Sequence, residues 1–239
     1  MVVAGRWVGS VLLCSSMVGI TAIGGAGGYG FGLWNSSART AAAHGVAVPL
    51  SLVSTPTTPP ASPPTKPVKI AQPNDAEALA VSDLEYKLRH FDVEAVVRSS
   101  ITVEVPRNWN DTLQDPPKEM RYTDPTTLRW IRIAAGFSIR RLPADSMAER
   151  IEALKNNPAD QDLKVVSQKV SDDGRTATLT YTYIPKEYLR RVVVRWVALE
   201  GSPNAAVEIS STGLPQDSPA IMDVLDHATQ TVTRTDAGL

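Results

Sequence analysis

The chain has 239 residues and a single cysteine, Cys14. One cysteine excludes an intrachain disulfide and any cysteine-built metal centre. It does not exclude an extracytoplasmic location, because a domain of this size holds together without staples. Acids are missing from the N-terminal part: residues 1–74 contain no Asp or Glu, and their only cations are Arg6, Arg39, Lys66 and Lys69. The remainder carries 20 Lys and Arg against all 25 acids, a net charge of −5. A chain this asymmetric is built from physically different parts. The acidic part has no basic stripe, which argues against nucleic acid as a partner.

Catalytic and metal-binding signatures are also missing. There is no G-x-S-x-G, no Walker sequence and no H-E-x-x-H. The three histidines, His44, His90 and His227, have no metal-ligand spacing to one another. Asp223 and His227 stand four apart on an expected helix, a spacing that also describes an ordinary solvated face. The adjacent Asp172 and Asp173 lie where a hairpin turn favours Asp for backbone reasons. We therefore expect no catalytic residues, no metal and no cofactor.

One cofactor pattern is present in letters: Gly25, Gly27 and Gly30 fit G-x-G-x-x-G. A dinucleotide fingerprint needs a helix after it and an acid about 20 residues on. The sequence that follows lacks an apolar helical face, and the first acid is Asp75. The context fits a membrane instead. Residues 7–34 contain no charged side chain, and Trp7 and Trp34 close the run at its ends. A bilayer core needs about 20 apolar residues, and indole rings favour its interfaces. Gly24, Gly28 and Gly32 recur every four residues, along one side of a helix, where small residues let a second backbone approach in lipid. A cleaved signal peptide is the competing reading. Arg6 and the amino terminus ahead of the span favour an extracytoplasmic bulk.

Residues 35–74 read as a linker rich in Pro, Thr and Ser, with no acid, whose prolines favour an extended stalk. Composition changes at Asp75. The pattern predicts a connecting helical segment within 75–99, with Ala78, Leu79, Leu84 and Leu88 as buried positions. A domain over 100–235 follows. Strands are expected at 101–105, 120–123 and 128–133, then a helix at 145–157 with Ser146 and Glu149 at capping-box spacing. Four strands come next, at 163–170, 175–183, 191–199 and 205–210, the first two joined by Asp172-Asp173-Gly174. A last helix covers 219–234, with Ser218 as its cap and an apolar stripe of Ile221, Val224, Leu225, Ala228 and Val232. This order implies an α+β domain, a twisted antiparallel sheet flanked by helices.

Arg190, Arg191 and Arg195 around Trp196 form the candidate interaction surface, a cationic face for a protein or an anionic headgroup. A solvated strand face charged against edge pairing is the plainer alternative. Trp109 and Trp130 are expected in the core or lining a pocket.

"DGRTATLTYTY" (residues 173–183), "RRVVVRWVALEGSPNAAVEISSTG" (190–213) and "IMDVLDHATQTVTR" (221–234) resemble the C-terminal domain of actinobacterial type VII secretion-associated membrane proteins. "ITVEVPRNW" (101–109) matches the way that domain begins, and "MAERIEALKNN" (147–157) its first helix. The resemblance implies a Mog1/PsbP/LpqN-like α-β-α fold and an accessory, non-catalytic role in secretion. Family members carry a large domain ahead of the span, and cysteines on the last strand and in the last helix. The matching regions here, at 208–211 and from Ile221, have no cysteine, which is coherent for a lost disulfide. The expected protein is thus a single-pass membrane protein whose extracytoplasmic domain meets a protein partner in a secretion assembly. The alternative is a secreted or anchored carrier of a small hydrophobic or anionic ligand.

Overall fold

The computed structural model describes residues 67–94, 97–113, 118–137 and 140–236. The chain divides into Met1–Ala47 and Val48–Leu239, and every described residue belongs to the second unit. The expected span at 7–34, with Gly24, Gly28 and Gly32, lies outside the described residues, as does the expected linker up to residue 66. Among the described residues no helix is long and apolar enough to cross a membrane.

Ten strands and two helices follow one another as β1 (Tyr86–Glu94), β2 (Arg98–Pro106), β3 (Asn110–Leu113), β4 (Glu119–Thr123), β5 (Trp130–Ala135), α1 (Pro143–Leu154), β6 (Lys164–Val170), β7 (Thr176–Tyr183), β8 (Arg190–Ala198), β9 (Ala205–Gly213), α2 (Ser218–Thr231) and β10 (Thr233–Asp236). Seven strands form one antiparallel sheet in the order β3-β4-β5-β9-β8-β7-β6, and a smaller sheet has the order β1-β2-β10. The described residues are α+β, with two sheets and two helices.

The helices lie on opposite faces of the large sheet. Ile221, Val224, Leu225 and Ala228 of α2 meet Val193, Val207 and Ile209, together with Ile101, Val103 and Val105 of the small sheet. This is the main core, and the apolar stripe read from sequence is its helical side. On the other face, Met147, Ile151 and Leu154 of α1 meet Leu179, Val192, Val194 and Trp196.

Several local expectations are corrected. Residues 75–91 are not a helix: residues 67–80 run extended, a short 3-10 turn follows at Val81–Asp83, and β1 pairs along β2. Leu88 is 61% exposed, while Phe91 and Val93 point into the core. The edge of β2 offers this segment a full hydrogen-bond ladder, which outweighs a weak local helical preference. α1 begins two residues earlier than expected, at Pro143, whose missing N–H suits a first helical position. Ser146 is then inside the helix and donates back to the carbonyl of Leu142 at 3.1 Å, so it is not a cap. α2 ends at Thr231, and the β-branched residues that follow pair with β2 as β10 instead of extending the helix.

Residues 67–80 lie along one end of the domain as a strap. The amide of Lys69 donates to the carbonyl of Asp160 and that of Gln72 to Glu187, both at 2.8 Å. The carbonyl of Glu77 accepts from Arg129 at 2.5 Å, and the amide of Leu79 donates to the carboxylate of Asp217 at 3.0 Å. Arg129 also pairs with Asp124 at 3.3 Å and with Asp217 at 2.8 Å, all three side chains being buried. This cluster ties the strap, the turn before β5 and the start of α2 together.

Candidate functional site

Strand alternation gives the large sheet two chemically different faces. Ile131, Ile133, Val193, Val207 and Ile209 point toward α2. The opposite face carries Trp130 and Arg132 from β5, Arg121 from β4, Glu208 and Ser210 from β9, Arg190 from β8, and Tyr181 and Tyr183 from β7. α1 packs on this face over β7 and β8. Among the described residues neither helix packs extensively over β4 and β5.

A compensated charge network sits next to α1. Glu208 accepts from Arg150 at 2.7 Å, from the indole N–H of Trp196 at 2.9 Å, and from Arg132. Arg132 also donates to Glu119 at 2.5 Å and to Ser210 at 3.3 Å. Burial alone would discharge Glu208, but Arg150, Arg132 and the Trp196 hydrogen bond outweigh it, and its pKa is lowered. Burial likewise opposes the charge of Arg132, and Glu208 and Glu119 reverse the balance. Two acids and two arginines cancel here.

Beyond the network, Arg121 and Arg190 have no carboxylate within salt-bridge distance among the described residues. The guanidinium carbons of Arg121 and Arg190 each lie 5.3 Å from the centroid of the Trp130 ring. The register explains the cluster. Trp130 stands opposite Thr123, which makes Arg121 its diagonal neighbour on β4. Thr212 and Val192 continue the same row onto β9 and β8, and Arg190 reaches over from two residues before Val192. Arg190 donates to the carbonyl of Leu128 at 2.5 Å, which aims it at the indole. All three side chains are half-buried. The Nε of Arg121 is buried with no hydrogen-bond partner. Burial lowers the pKa of both arginines; for Arg121 the neighbouring Arg132 adds to the effect, while Glu119 opposes it. Tyr183 lines the same corner, its phenol pushed up to about 12 by burial.

The arginines differ in their partners, and Arg89 and Arg191, like Arg121, keep a buried Nε without a partner. Arg129, Arg132, Arg150, Arg195 and Arg234 each have a carboxylate within salt-bridge distance. Arg121 and Arg190 have none among the described residues. Partial burial of a charge without a counter-charge costs free energy, and a cation–π contact returns only about 0.5–2 kcal/mol of it.

The three arginines chosen from sequence are not brought together. Arg190 is on the open face over Trp130, whereas Arg191 and Arg195 point to the α2 side. Arg195 is held by Asp226 at 2.7 Å and by Thr178 at 3.0 Å. It also borders a shallow groove of about 280 Å³ with Lys169, Ser171, Asp172, Thr176 and Thr178. Trp109 is core, 2% exposed. Asp223 accepts from the Tyr86 hydroxyl at 2.6 Å, and His227 stacks on the Tyr86 ring at 3.8 Å, so each meets Tyr86 and not a shared ligand. Asp173 accepts from the Arg175 amide at 3.0 Å and from Ser171 at 2.6 Å within its turn. No cluster of three potential metal ligands occurs among the described residues. Sequence reasoning missed Arg121. The available signal was the alternation Trp130-Ile131-Arg132-Ile133, which sets a large aromatic on the polar side of a strand otherwise apolar on its inner face.

No family model matches the chain, and no curated protein matches it. Among solved structures, a cyanobacterial PsbP from Synechocystis is 12% identical over 61% of this chain and 91% of its own, with a TM-score of 0.45. The Ran-binding protein Mog1p of Saccharomyces cerevisiae is 13% identical over 62% and 96%, with a TM-score of 0.44. LpqN of Mycobacterium tuberculosis, involved in cell envelope biogenesis, is 15% identical over 68% and 99%, with a TM-score of 0.36. Identities and scores this low carry nothing over to ligand or partner.

Proposed function

We propose that this chain is a non-catalytic accessory protein of the cell envelope, held at the membrane by residues 7–34 and associated with type VII secretion. Its α+β domain stands outside the membrane on the Pro-rich stalk and binds a protein partner through the open sheet face around Trp130. The observation that carries this reading is Trp130 flanked by two half-buried guanidiniums without carboxylate partners. Aromatic and arginine side chains are the residue types that anchor protein interfaces. The charge-free N-terminal run, the stalk composition and the resemblance of the strand and helix sequences support the location and the secretion context.

A photo-crosslinking side chain at Thr123, beside Trp130 on β4, tests it in living cells. The expected result is a discrete adduct with one envelope protein that disappears when Trp130→Ala is added. An adduct that persists unchanged with Trp130→Ala would sink the reading.

A further inference from the structure

We infer that β6 is a docking edge for a second copy of this chain, the two strands pairing antiparallel about a two-fold axis at Gln168. β6 closes one end of the seven-stranded sheet and pairs on one side only, with β7. All of its residues are exposed, with Val165 at 40%, Val166 at 51% and Val170 at 40%. Neither helix packs extensively over it. The other edge of this sheet, β3, is only four residues long. An uncovered edge strand presents a row of unpaired backbone donors and acceptors to any strand that fits. The amide of Ser171 donates to the carbonyl of Thr176 at 2.9 Å, so its backbone groups face β7. Alternation then turns the backbone groups of Val170 and Gln168 outward, to the open edge.

The edge is complementary to a copy of itself. In a two-fold antiparallel pair one residue stands opposite its own copy, and every other contact occurs twice. Centred on Gln168, the pairing sets Val170 beside Val165 and Val166 of the second copy, and Asp172 beside its Lys164. Both charges are available. Lys164 is mostly exposed and meets only Asp162, at 2.7 Å, a surface contact worth little. Asp172 has no ion pair among the described residues. The registers on either side fail. A centre at Lys169 sets that lysine against its own copy, and like charges directly opposite destabilise a strand pair. A centre at Ser167 sets Asp172 against Asp162 and aims Gln168 at Val166, where β6 bulges. Lysines and bulges guard an edge against indiscriminate pairing; on β6 they leave the Gln168 register open. One strand pair is small beside a standard interface of roughly 1,600 Å², so the dimer is weak and reversible.

Cysteine cross-linking of the full-length chain in cells tests the pairing, in a Cys14→Ser background that removes the native thiol. Opposed Cα atoms of such a pair stand about 5.5 Å apart, within reach of a short thiol-to-thiol linker. Gln168→Cys is therefore expected to give a covalent dimer. Lys164→Cys alone is not, because its two copies lie roughly 26 Å apart along the paired strands. Lys164→Cys chains mixed with Asp172→Cys chains should link to each other. Lys186→Cys, exposed in the β7–β8 connection, gives the background from random collision. Lys164→Asp should lower the Gln168→Cys yield roughly fivefold, since two cross-strand pairs change per dimer, and adding Asp172→Lys should restore it. Thermal melts of each variant separate lost association from lost fold. A Gln168→Cys yield no higher than that of Lys186→Cys overturns the inference. Equal yields at Gln168, Lys164 and Lys186, as association through residues 7–34 alone would give, overturn it as well. A folded Lys164→Asp, Asp172→Lys chain that stays as weak as Lys164→Asp removes the charge pairing and with it the register.

Discussion

Glu208 shows how one buried acid organises its neighbourhood on the sheet face that α1 partly covers. It is 7% exposed and takes donors from Arg132, Arg150 and Trp196. Glu208→Ala would leave two half-buried cations and an indole N–H without their acceptor. Breaking a buried ion pair from one side costs about 3–5 kcal/mol. Glu208→Gln keeps the size and one acceptor for Trp196, so its cost should be smaller, and it isolates the charge. The pH sign follows from the shift. The folded-state pKa of Glu208 lies below its ordinary value, because Arg150 and Arg132 outweigh burial. Its contribution is therefore complete above the unfolded value and is lost as pH falls through the folded one. Thermal melts should show a wide gap between the parent and Glu208→Gln at pH 7 that narrows on acidification below the ordinary glutamate range. A gap constant across that range would show that charge is not what Glu208 contributes. None of this was legible at the residue scale. Glu208 sits in Ala-Val-Glu-Ile-Ser, which reads as a surface position on a half-buried strand. Only the register, which sets it opposite Trp196 and beside Arg132, reveals its partners.

At the scale of elements, the sequence was most informative where the chain pairs with its immediate neighbour. Asp172-Asp173-Gly174 does join β6 and β7, with Gly174 at φ +68, a backbone conformation glycine adopts without strain. The alternating threonines of β7 do separate from Ala177, Leu179 and Tyr183. Three strands were not anticipated: β1, β3 and β10. Each is short or weakly alternating, and its pairing energy comes from a partner strand, a contribution that local propensity does not contain. The junction of β9 and α2 was also hidden. Gly213 ends β9, and a Cβ there would stand 2.8 Å from Cγ2 of Ile221 and 3.1 Å from Oδ2 of Asp217. Ile221 is core, and Asp217 is clamped by Arg129 and by the Leu214 amide, so neither yields easily. Gly213→Ala should therefore destabilise the domain by about 1–3 kcal/mol, the usual range for overpacking. Denaturant unfolding checks it: an unchanged midpoint would mean that α2 shifts freely against the sheet.

For the whole molecule, the decisive feature is where the folded unit begins. Composition places the change at Asp75 and the domain proper near residue 100, because the prolines before Asp75 read as linker. The structure begins the packed chain earlier. The apolar residues of 67–80 follow neither a helical nor a strand period, and Val68 and Ile70 are exposed, so no hydrophobic pattern announces the segment, which is held by backbone and side-chain hydrogen bonds to residues far away in sequence. Lys69 alone bonds the carbonyls of Asp160 and Pro185 through its amide and ammonium groups. Arg129 holds Glu77 from the other end. The strap therefore holds residues 69–72 on the side of the β7–β8 connection, close in the chain to Arg190. Limited digestion of membranes with a nonspecific protease should cut within the Pro-rich stretch before Pro67. It should release a folded fragment that starts at or just before that residue, because Lys69, Gln72, Glu77 and Leu79 are tied down along the strap. The N-terminal piece should stay in the membrane pellet through alkaline carbonate washing, as a spanning segment of about 20 apolar residues or more would. A smallest stable fragment beginning near residue 100 would make the strap dispensable. A mature chain already lacking residues 7–34 would remove the anchor, and with it the packing role of Gly24, Gly28 and Gly32, while leaving the Arg121–Trp130–Arg190 face where it is.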